Sequence, residues 1–249
     1  MKRELLIDAD VVAYKAASSV EVATDWGDGY WTWHCDFSAV EDAFWGSIEQ
    51  TMKDLAGDSY KLCLTDSLGN FRKCILPTYK GNRASTKRPL VLAHFKDVLI
   101  EKHDAYFRPG LEGDDCMGIL ATIKTPGVEK VIMSIDKDMK TIPGLFSRDG
   151  KSIEIIDQET ADYWHLYQTL TGDTTDGYSG CPGIGPKKAE AILEQAGADP
   201  WSAIVAVYEK AKLGEEEALT QARVARILRA SDYDFEKKEP ILWTPKTAA

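Results

Sequence analysis

Short apolar runs that stop at or just before a carboxylate recur along the first half of the chain. Leu5-Leu6-Ile7 ends at Asp8, Tyr60 to Leu64 ends just before Asp66, and Val131 to Ile135 ends at Asp136. Runs of this length read as short buried strands. Between them lie helical patterns over Ser38 to Leu55, over Pro89 to Ile100 with Pro at a first-turn position, and over Asp115 to Ile123. The alternation predicts an α/β fold with a mainly parallel central sheet flanked by helices. In such a sheet the C-terminal strand ends share one edge, where ligands bind, so distant carboxylates can converge there.

Two dipeptides, Asp28-Gly29 and Asp149-Gly150, each predict a hairpin with a type I′ turn. The first is flanked by Trp26, Tyr30, Trp31 and Trp33. These rings have two readings: large residues covering the edge of the sheet, or a surface on which bases stack. From Thr171 onward Gly-rich turns alternate with helices over Lys187 to Ala196, Trp201 to Lys212 and Glu215 to Ala230. The stretch from Glu236 to Ala249, with Pro240 and Pro245, reads as a loose tail.

A chain of 249 residues, 44% hydrophobic with seven Trp, can bury the core of one large domain plus a small appendage. Its five cysteines (Cys35, Cys63, Cys74, Cys116, Cys181) are odd in number and lack CxxC spacing. That argues against a disulfide framework or structural zinc site and fits a reducing cytoplasm. The apolar run after Lys2 and Arg3 is cut at Asp8 and Asp10, too early for a signal peptide, and no stretch is long enough to span a membrane. A net charge of -10 ordinarily counts against a nucleic-acid partner. Here the distribution matters more. Basic residues bunch at Lys80, Arg83, Lys87 and Arg88 and again at Lys187 and Lys188, while nine clustered carboxylates account for most of the acidic excess.

Those nine are Asp8, Asp66, Glu112, Asp114, Asp115, Asp136, Asp138, Asp173 and Asp176. Like charges gathered in one cleft repel and shift each other's pKa, so their convergence implies divalent cations, with Mg²⁺ the natural candidate. Taken alone, Glu112-Gly-Asp114-Asp115 fits ordinary capping of a helix as well as metal binding. Asp136-Lys-Asp138 fits a bridging pair or a solvated loop. The segment from Gly172 to Ala189 is more specific. Gly180, Gly183 and Gly185 around Ile184 let a phosphate approach bare backbone N–H groups, and Lys187 and Lys188 add charge, a helix-hairpin-helix grip that reads a DNA backbone by shape.

In their order, these motifs resemble the 5′-nuclease superfamily: flap endonucleases, the 5′-nuclease domain of bacterial DNA polymerase I and phage 5′-to-3′ exonucleases. The likeness runs from Asp8 to about Ala196. It implies a PIN-like nuclease core over 1–170 with a short helical arch at about 79–111, a helix-hairpin-helix region over 171–235 completing the metal site, and a tail over 236–249. By resemblance, Asp8, Asp66, Glu112, Asp114 and Asp136 hold a first Mg²⁺ directly or through water, and Asp136, Asp138, Asp173 and Asp176 a second. Asp115 completes the acidic triplet, and Mn²⁺ can substitute. Lys80 and Arg83 act on the scissile phosphate, Tyr79 stacks on the terminal base, and carbonyls of the Gly180 to Ala189 hairpin hold a K⁺ that touches DNA. Lys87 and Arg88 join Lys187 and Lys188 as DNA contacts.

The implied function is metal-dependent hydrolysis at 5′ ends, nicks or flaps of duplex DNA during replication or recombination, in the cytoplasm of a bacterium or phage-infected cell. RNase H-like cleavage of RNA-DNA hybrids belongs to the same reading. A DNA-binding module without chemistry and an unrelated acidic-site phosphatase are the alternatives. Only 33 positions separate Tyr79 from Glu112, room for a short arch.

Overall fold

The computed structural model describes residues 1–83, apart from the Arg83 side chain, and 87–245. In chain order, β1 (Lys2–Asp8) leads into α1 (Ala9–Val20), a hairpin of β2 (Val22–Asp25) and β3 (Trp31–His34), α2 (Phe37–Asp54), β4 (Ser59–Cys63), the single turn α3 (Arg72–Ile75) and α4 (Leu92–Lys102). Next come α5 (Gly113–Thr122), β5 (Val128–Met133), β6 (Gly144–Ser147), β7 (Glu154–Ile156), α6 (Gln158–Thr171), α7 (Pro186–Gln195), α8 (Pro200–Lys210) and α9 (Gly214–Ala225). A short pair, β8 (Tyr233–Asp234) and β9 (Glu239–Pro240), follows, and 3-10 turns cover Gly81–Arg83, Lys137–Thr141 and Ala230–Asp232.

The central sheet has the order β4-β1-β5-β6-β7, parallel except for the antiparallel edge strand β7. Successive side chains of a strand face opposite ways, and here both ways are covered. Leu5, Ile7, Leu62 and Val131 pack with α1, α2 and α4 through Val12, Phe44, Ile48, Phe95 and Leu99. Leu6, Cys63 and Ile132 pack on the other face with Cys116, Ile119, Ile142 and Phe146. Burial on both faces explains why these strands are apolar throughout instead of alternating. A third cluster around Leu170, Cys181, Leu193, Ile204 and Tyr208 joins α6 to α9.

Several elements depart from the sequence expectations. Helices beyond the sequence expectations include α1, capped by Asp8 through the Val11 N–H (3.1 Å), and α6, capped by Asp157 through the Thr160 N–H (2.7 Å). The predicted Glu215 to Ala230 helix stops at Ala225. The Arg72 guanidinium takes the carbonyls of Val224 (2.9 Å) and Arg226 (2.6 Å), and Asp115 takes the Leu228 N–H (3.0 Å), drawing the backbone off the helical path. The stretch expected as a short arch contains α4, whose Leu92, Phe95, Val98 and Leu99 are buried. The predicted tail is held as far as Trp243: Ile241 N–H bonds to the Asp232 carbonyl (2.9 Å), and Trp243 packs edge-on to His165 and Trp201. Residues 246–249 lie outside the described residues.

Of the two hairpins, the first has the expected turn, with Tyr30 N–H bonded to the Gly27 carbonyl (2.9 Å) and positive φ at Asp28 (50°) and Gly29 (82°). Among the described residues it pairs only with itself and not with an edge of the central sheet. At Asp149-Gly150 only the glycine has positive φ (71°). The Asp149 carboxylate instead accepts the N–H groups of Lys151 and Ser152 (2.8 Å each), giving an Asp-organised loop over 148–153 in place of a type I′ turn.

Candidate active site

The carboxylates collect at the C-terminal edge of the sheet. Asp8 closes β1 and caps α1, so its carboxylate is fixed from both sides: Oδ1 accepts Val11 N–H, and Oδ2 accepts the buried Ser134 hydroxyl (2.7 Å). Ser134 follows β5 and also accepts the Asp136 N–H (3.1 Å), locking the first two acidic strand ends together. Asp136 in turn starts a 3-10 turn by accepting Asp138 N–H (2.9 Å). From above, α5 presents Asp114 into the same region, its first N–H (Gly113) resting on the Thr65 hydroxyl (2.9 Å).

Crowding shows in the electrostatics. Burial, then Asp10 and Asp136, push Asp8 up to about 6 against its hydrogen bonds. Burial together with Asp8, Asp136 and Glu112 holds Asp114 well above the carboxylate range. Burial, then Asp136, Asp173 and Asp176, raise Asp138 to about 7 against Lys137. The charges therefore form two overlapping groups with Asp136 common to both.

Lys80 and Tyr79 tie the groups together. Lys80 adopts φ +53° and donates from its backbone N–H to the Asp176 carbonyl (2.7 Å). Its ammonium sits on Glu112 and lies 3.5 Å from Asp176 Oδ2. The Tyr79 hydroxyl is 2.9 Å from Glu112 Oε2 and 3.0 Å from Asp176 Oδ2. Burial would depress the Lys80 ammonium, but Glu112, Asp176 and Asp114 more than reverse that. Glu112 is likewise penalised by burial, yet Arg72 and Lys80 bring it below its usual value. Tyr79 is only 2% exposed, so it offers no face to a base. The stacking role implied by resemblance gives way to a hydroxyl that positions two carboxylates.

Other predicted residues stand apart. Asp115 is fully buried and turned away from the cleft, in a two-pronged pair with Arg72 (2.7 and 2.8 Å) while accepting Glu112 N–H (3.1 Å) and Leu228 N–H. Both of its oxygens are thus taken by Arg72 and by backbone N–H groups. Asp66 organises its loop, accepting Leu68 N–H (2.8 Å) and Gly110 N–H (2.7 Å). Asp173 accepts the N–H groups of Thr175 (2.6 Å) and Asp176 (3.3 Å). The Arg83 side chain lies outside the described residues. Arg88 is exposed, and Lys87 pairs with Glu21 (2.6 Å).

Sequence reasoning missed Ser134, Arg72, and the Asp10 and Lys96 pair (2.5 Å). Asp10 also accepts Thr65 N–H (2.7 Å), joining α1 to the end of β4. The one available signal was proximity in sequence, two residues from Asp136 and Asp8.

The glycine hairpin divides into two parts. Gly172 and Gly180 cross so closely that a Cβ on either would come within 2.3 Å of the other's segment, and Gly180 N–H bonds to buried Gln221 (2.9 Å). Gly180 thus serves packing. Gly183 and Gly185 are exposed, with open space where a Cβ would be, and Gly185 caps α7. Ile184 is half-buried and Lys187 exposed, while the Lys188 ammonium rests on the Gly183 carbonyl (2.9 Å).

Does the cleft fit divalent cations? Asp138 Oδ1 is buried with no hydrogen-bond partner among the described residues, beside other acidic groups, an acceptor set that suits a cation. Among the described residues no three acidic, His or Cys side chains yet converge tightly enough to hold an ion. Lys80 already neutralises Glu112 and Asp176 there. The donor chemistry fits hard cations once the lysine moves.

The chain is similar to known proteins in sequence and in fold. The family model for the 5′-3′ exonuclease N-terminal resolvase-like domain matches residues 3–162. An exodeoxyribonuclease of Enterobacteria phage T3 is 34% identical, with 98% of this chain and 93% of the relative covered. An exonuclease of Escherichia phage T7 is 35% identical over 97% and 93%. In fold, the chain is similar to a T5 5′-exonuclease solved with zinc, at TM-score 0.63 and 16% identity over 90% of this chain and 93% of that one.

Proposed function

This chain belongs to the 5′-3′ exonuclease family, and on that premise we propose that it hydrolyses phosphodiesters at 5′ ends, nicks or flaps of duplex DNA with two Mg²⁺ ions. The relatives named exodeoxyribonuclease and exonuclease support the reaction class. The observation that carries the metal reading is the orphaned, buried Asp138 Oδ1 within a crowd of carboxylates whose charges raise one another's pKa.

Asp8, Glu112, Asp114 and Asp136 would hold one ion, with Asp66 through water, and Asp136, Asp138, Asp173 and Asp176 the other. Bound ions supply a hydroxide at neutral pH and neutralise charge building on the phosphate. The remaining work falls to the chain. Ser134 and α1 hold Asp8 still, and Tyr79 spaces Glu112 from Asp176. Lys80, freed from those carboxylates when cations replace it, donates to the phosphate oxygens, with Arg83 as its companion. Gly183, Ile184, Gly185, Lys187 and Lys188 grip the backbone of the duplex at the α7 N-terminus. K⁺ on the carbonyls of the Gly180 to Ala189 hairpin would compete with the Lys188 ammonium, which rests on the Gly183 carbonyl.

The test is digestion of a 5′-labelled blunt duplex, a 5′-flap duplex and an RNA-DNA hybrid in Mg²⁺, with Asp136→Ala as control. Products that vanish in EDTA and drop at least a hundredfold in the variant are expected. Release of short 5′ products from the blunt duplex marks an exonuclease, and cleavage confined to the junction a flap endonuclease. Cleavage of the hybrid adds the RNase H-like activity. Metal-dependent binding without any cleavage, or an active Asp136→Ala protein, overturns the reading.

A further inference from the structure

The β2–β3 hairpin is a surface that the proposed chemistry leaves unused. All eight of its strand positions are exposed, and it joins no other strand. The register pairs Ala23 with Trp33 and Asp25 with Trp31, so these four share one face, while Thr24 and Thr32 lie on the other. Trp26 reaches that second face, where its indole N–H donates to the Thr32 hydroxyl (2.9 Å). Trp31 and Trp33 lie nearly parallel, centroids 6.3 Å apart and planes 26° off, and they remain 47% and 40% exposed. A two-stranded ribbon is marginal by itself, and aromatics that pack against no core signal a partner.

What the partner is follows from the neighbourhood. The Lys87 ammonium sits 4.2 Å over the Trp33 ring, and Arg88 follows it, exposed. Lys87 also pairs with Glu21 at the end of α1, and Leu90 N–H reaches the same carboxylate (2.7 Å), so this basic segment is fastened to the hairpin root. Of the acids near the Trp31 face, Asp25 is turned back onto Gly27 N–H (2.9 Å) and Glu21, at the root, is held by Lys87. Cations beside parallel, sequence-tolerant rings suit the bases and phosphates of a single strand. α1 starts just after Asp8 in the cleft and ends at the hairpin, and its twelve residues span about 18 Å.

We propose that Trp31 and Trp33 form a base-stacking platform for single-stranded DNA leading from the carboxylate cleft. The inference rests on the nuclease reading for the position of that strand, and its own evidence is the exposed ring pair under Lys87.

The test compares the full-length wild type with Trp31→Ala/Trp33→Ala and, on the turn and opposite face, Trp26→Ala/Tyr30→Ala. Binding is measured by anisotropy in EDTA on a duplex with a 12-nucleotide single-stranded extension and on one with a 3-nucleotide extension. Cleft chemistry is read separately with bis(p-nitrophenyl) phosphate and Mg²⁺. The expected result is about tenfold weaker binding of the long extension by Trp31→Ala/Trp33→Ala. The short extension, the opposite-face variant and chromogenic turnover stay within twofold of wild type. If the alanine pair melts early, Trp31→Thr/Trp33→Thr keeps strand propensity and gives the same comparison. Unchanged affinity for the long extension overturns the platform, as does a change in sedimentation of the protein alone, which assigns the hairpin to a protein interface. Loss of length-dependent binding in a wild type that cleaves normally sinks the platform alone; an intact length effect without any cleavage sinks the nuclease reading alone.

Discussion

His165 is 1% exposed, and its Nε2 lies 2.8 Å from the Ala222 carbonyl. Burial, with Arg226 next, pushes its pKa down to about 3, so the folded protein keeps the ring neutral. An unfolded chain binds that proton near pH 6.5, so this group's stability contribution is intact above about 6.5 and falls as the pH drops toward about 3. By pH 5 the loss amounts to about 2 kcal/mol. Urea titrations of wild type and His165→Gln at pH 7.5 and 5.0 check it, the expected outcome being a smaller acid loss in the variant. The raised carboxylates Asp8 and Asp138 act in the opposite direction, so the difference between the two proteins is the readout. Equal pH slopes refute the assignment. At the same scale, Asp115 shows how little a residue's type says about its use: adjacent to Asp114, it pairs with Arg72 and with the Glu112 N–H.

Elements meet at Arg72. From α3 its guanidinium reaches Asp115 on α5 and the carbonyls of Val224 and Arg226, where α9 ends, and it lies 3.4 Å from Glu112. At 2% exposure this pair is worth most when it is broken from one side, because the surviving charge is left buried. Asp115→Asn or Arg72→Met should each cost about 3–5 kcal/mol in urea unfolding. The double variant Arg72→Met/Asp115→Leu should cost less than the sum of the single changes. Additive losses would show that the pair does not couple α3, α5 and the end of α9. The same knot fixes the height at which α5 presents Glu112 and Asp114 to the cleft.

For the whole molecule, the cleft trades stability for chemistry. Carboxylates from β1, α5, the β5 edge and the segment after α6 are forced together, and Lys80 offsets only part of the repulsion. In EDTA at pH 8, Asp138→Asn should therefore melt at a higher temperature than wild type, by about 1 kcal/mol or more in stability. Mg²⁺ should raise the wild-type Tm progressively, about 2.7 kcal/mol at a hundred times its Kd, and raise the variant less. A Tm indifferent to Mg²⁺ in both proteins would count against cation binding in the cleft.

Burial on both faces writes itself into sequence as continuous apolar runs, and a parallel sheet sends each run's end to one edge. The strands at Leu5, Leu62 and Val131, and the meeting of Asp8 and Asp136 beyond them, were legible for that reason. Glycine spacing likewise marked the hairpin before α7, because backbone conformation and close approach are local demands. Side-chain direction is not local. Asp115 pairs with a residue 43 positions away and Tyr79 with one 97 away, and no periodicity distinguishes Asp114 from Asp115 or a buried Tyr79 from an exposed one. The aromatic hairpin makes the same point from outside, since only its separation from the central sheet shows that its rings are free to meet a partner. Sequence determined where the chemistry gathers; tertiary packing decided which side chains face it, because the partners that orient them come from remote parts of the chain.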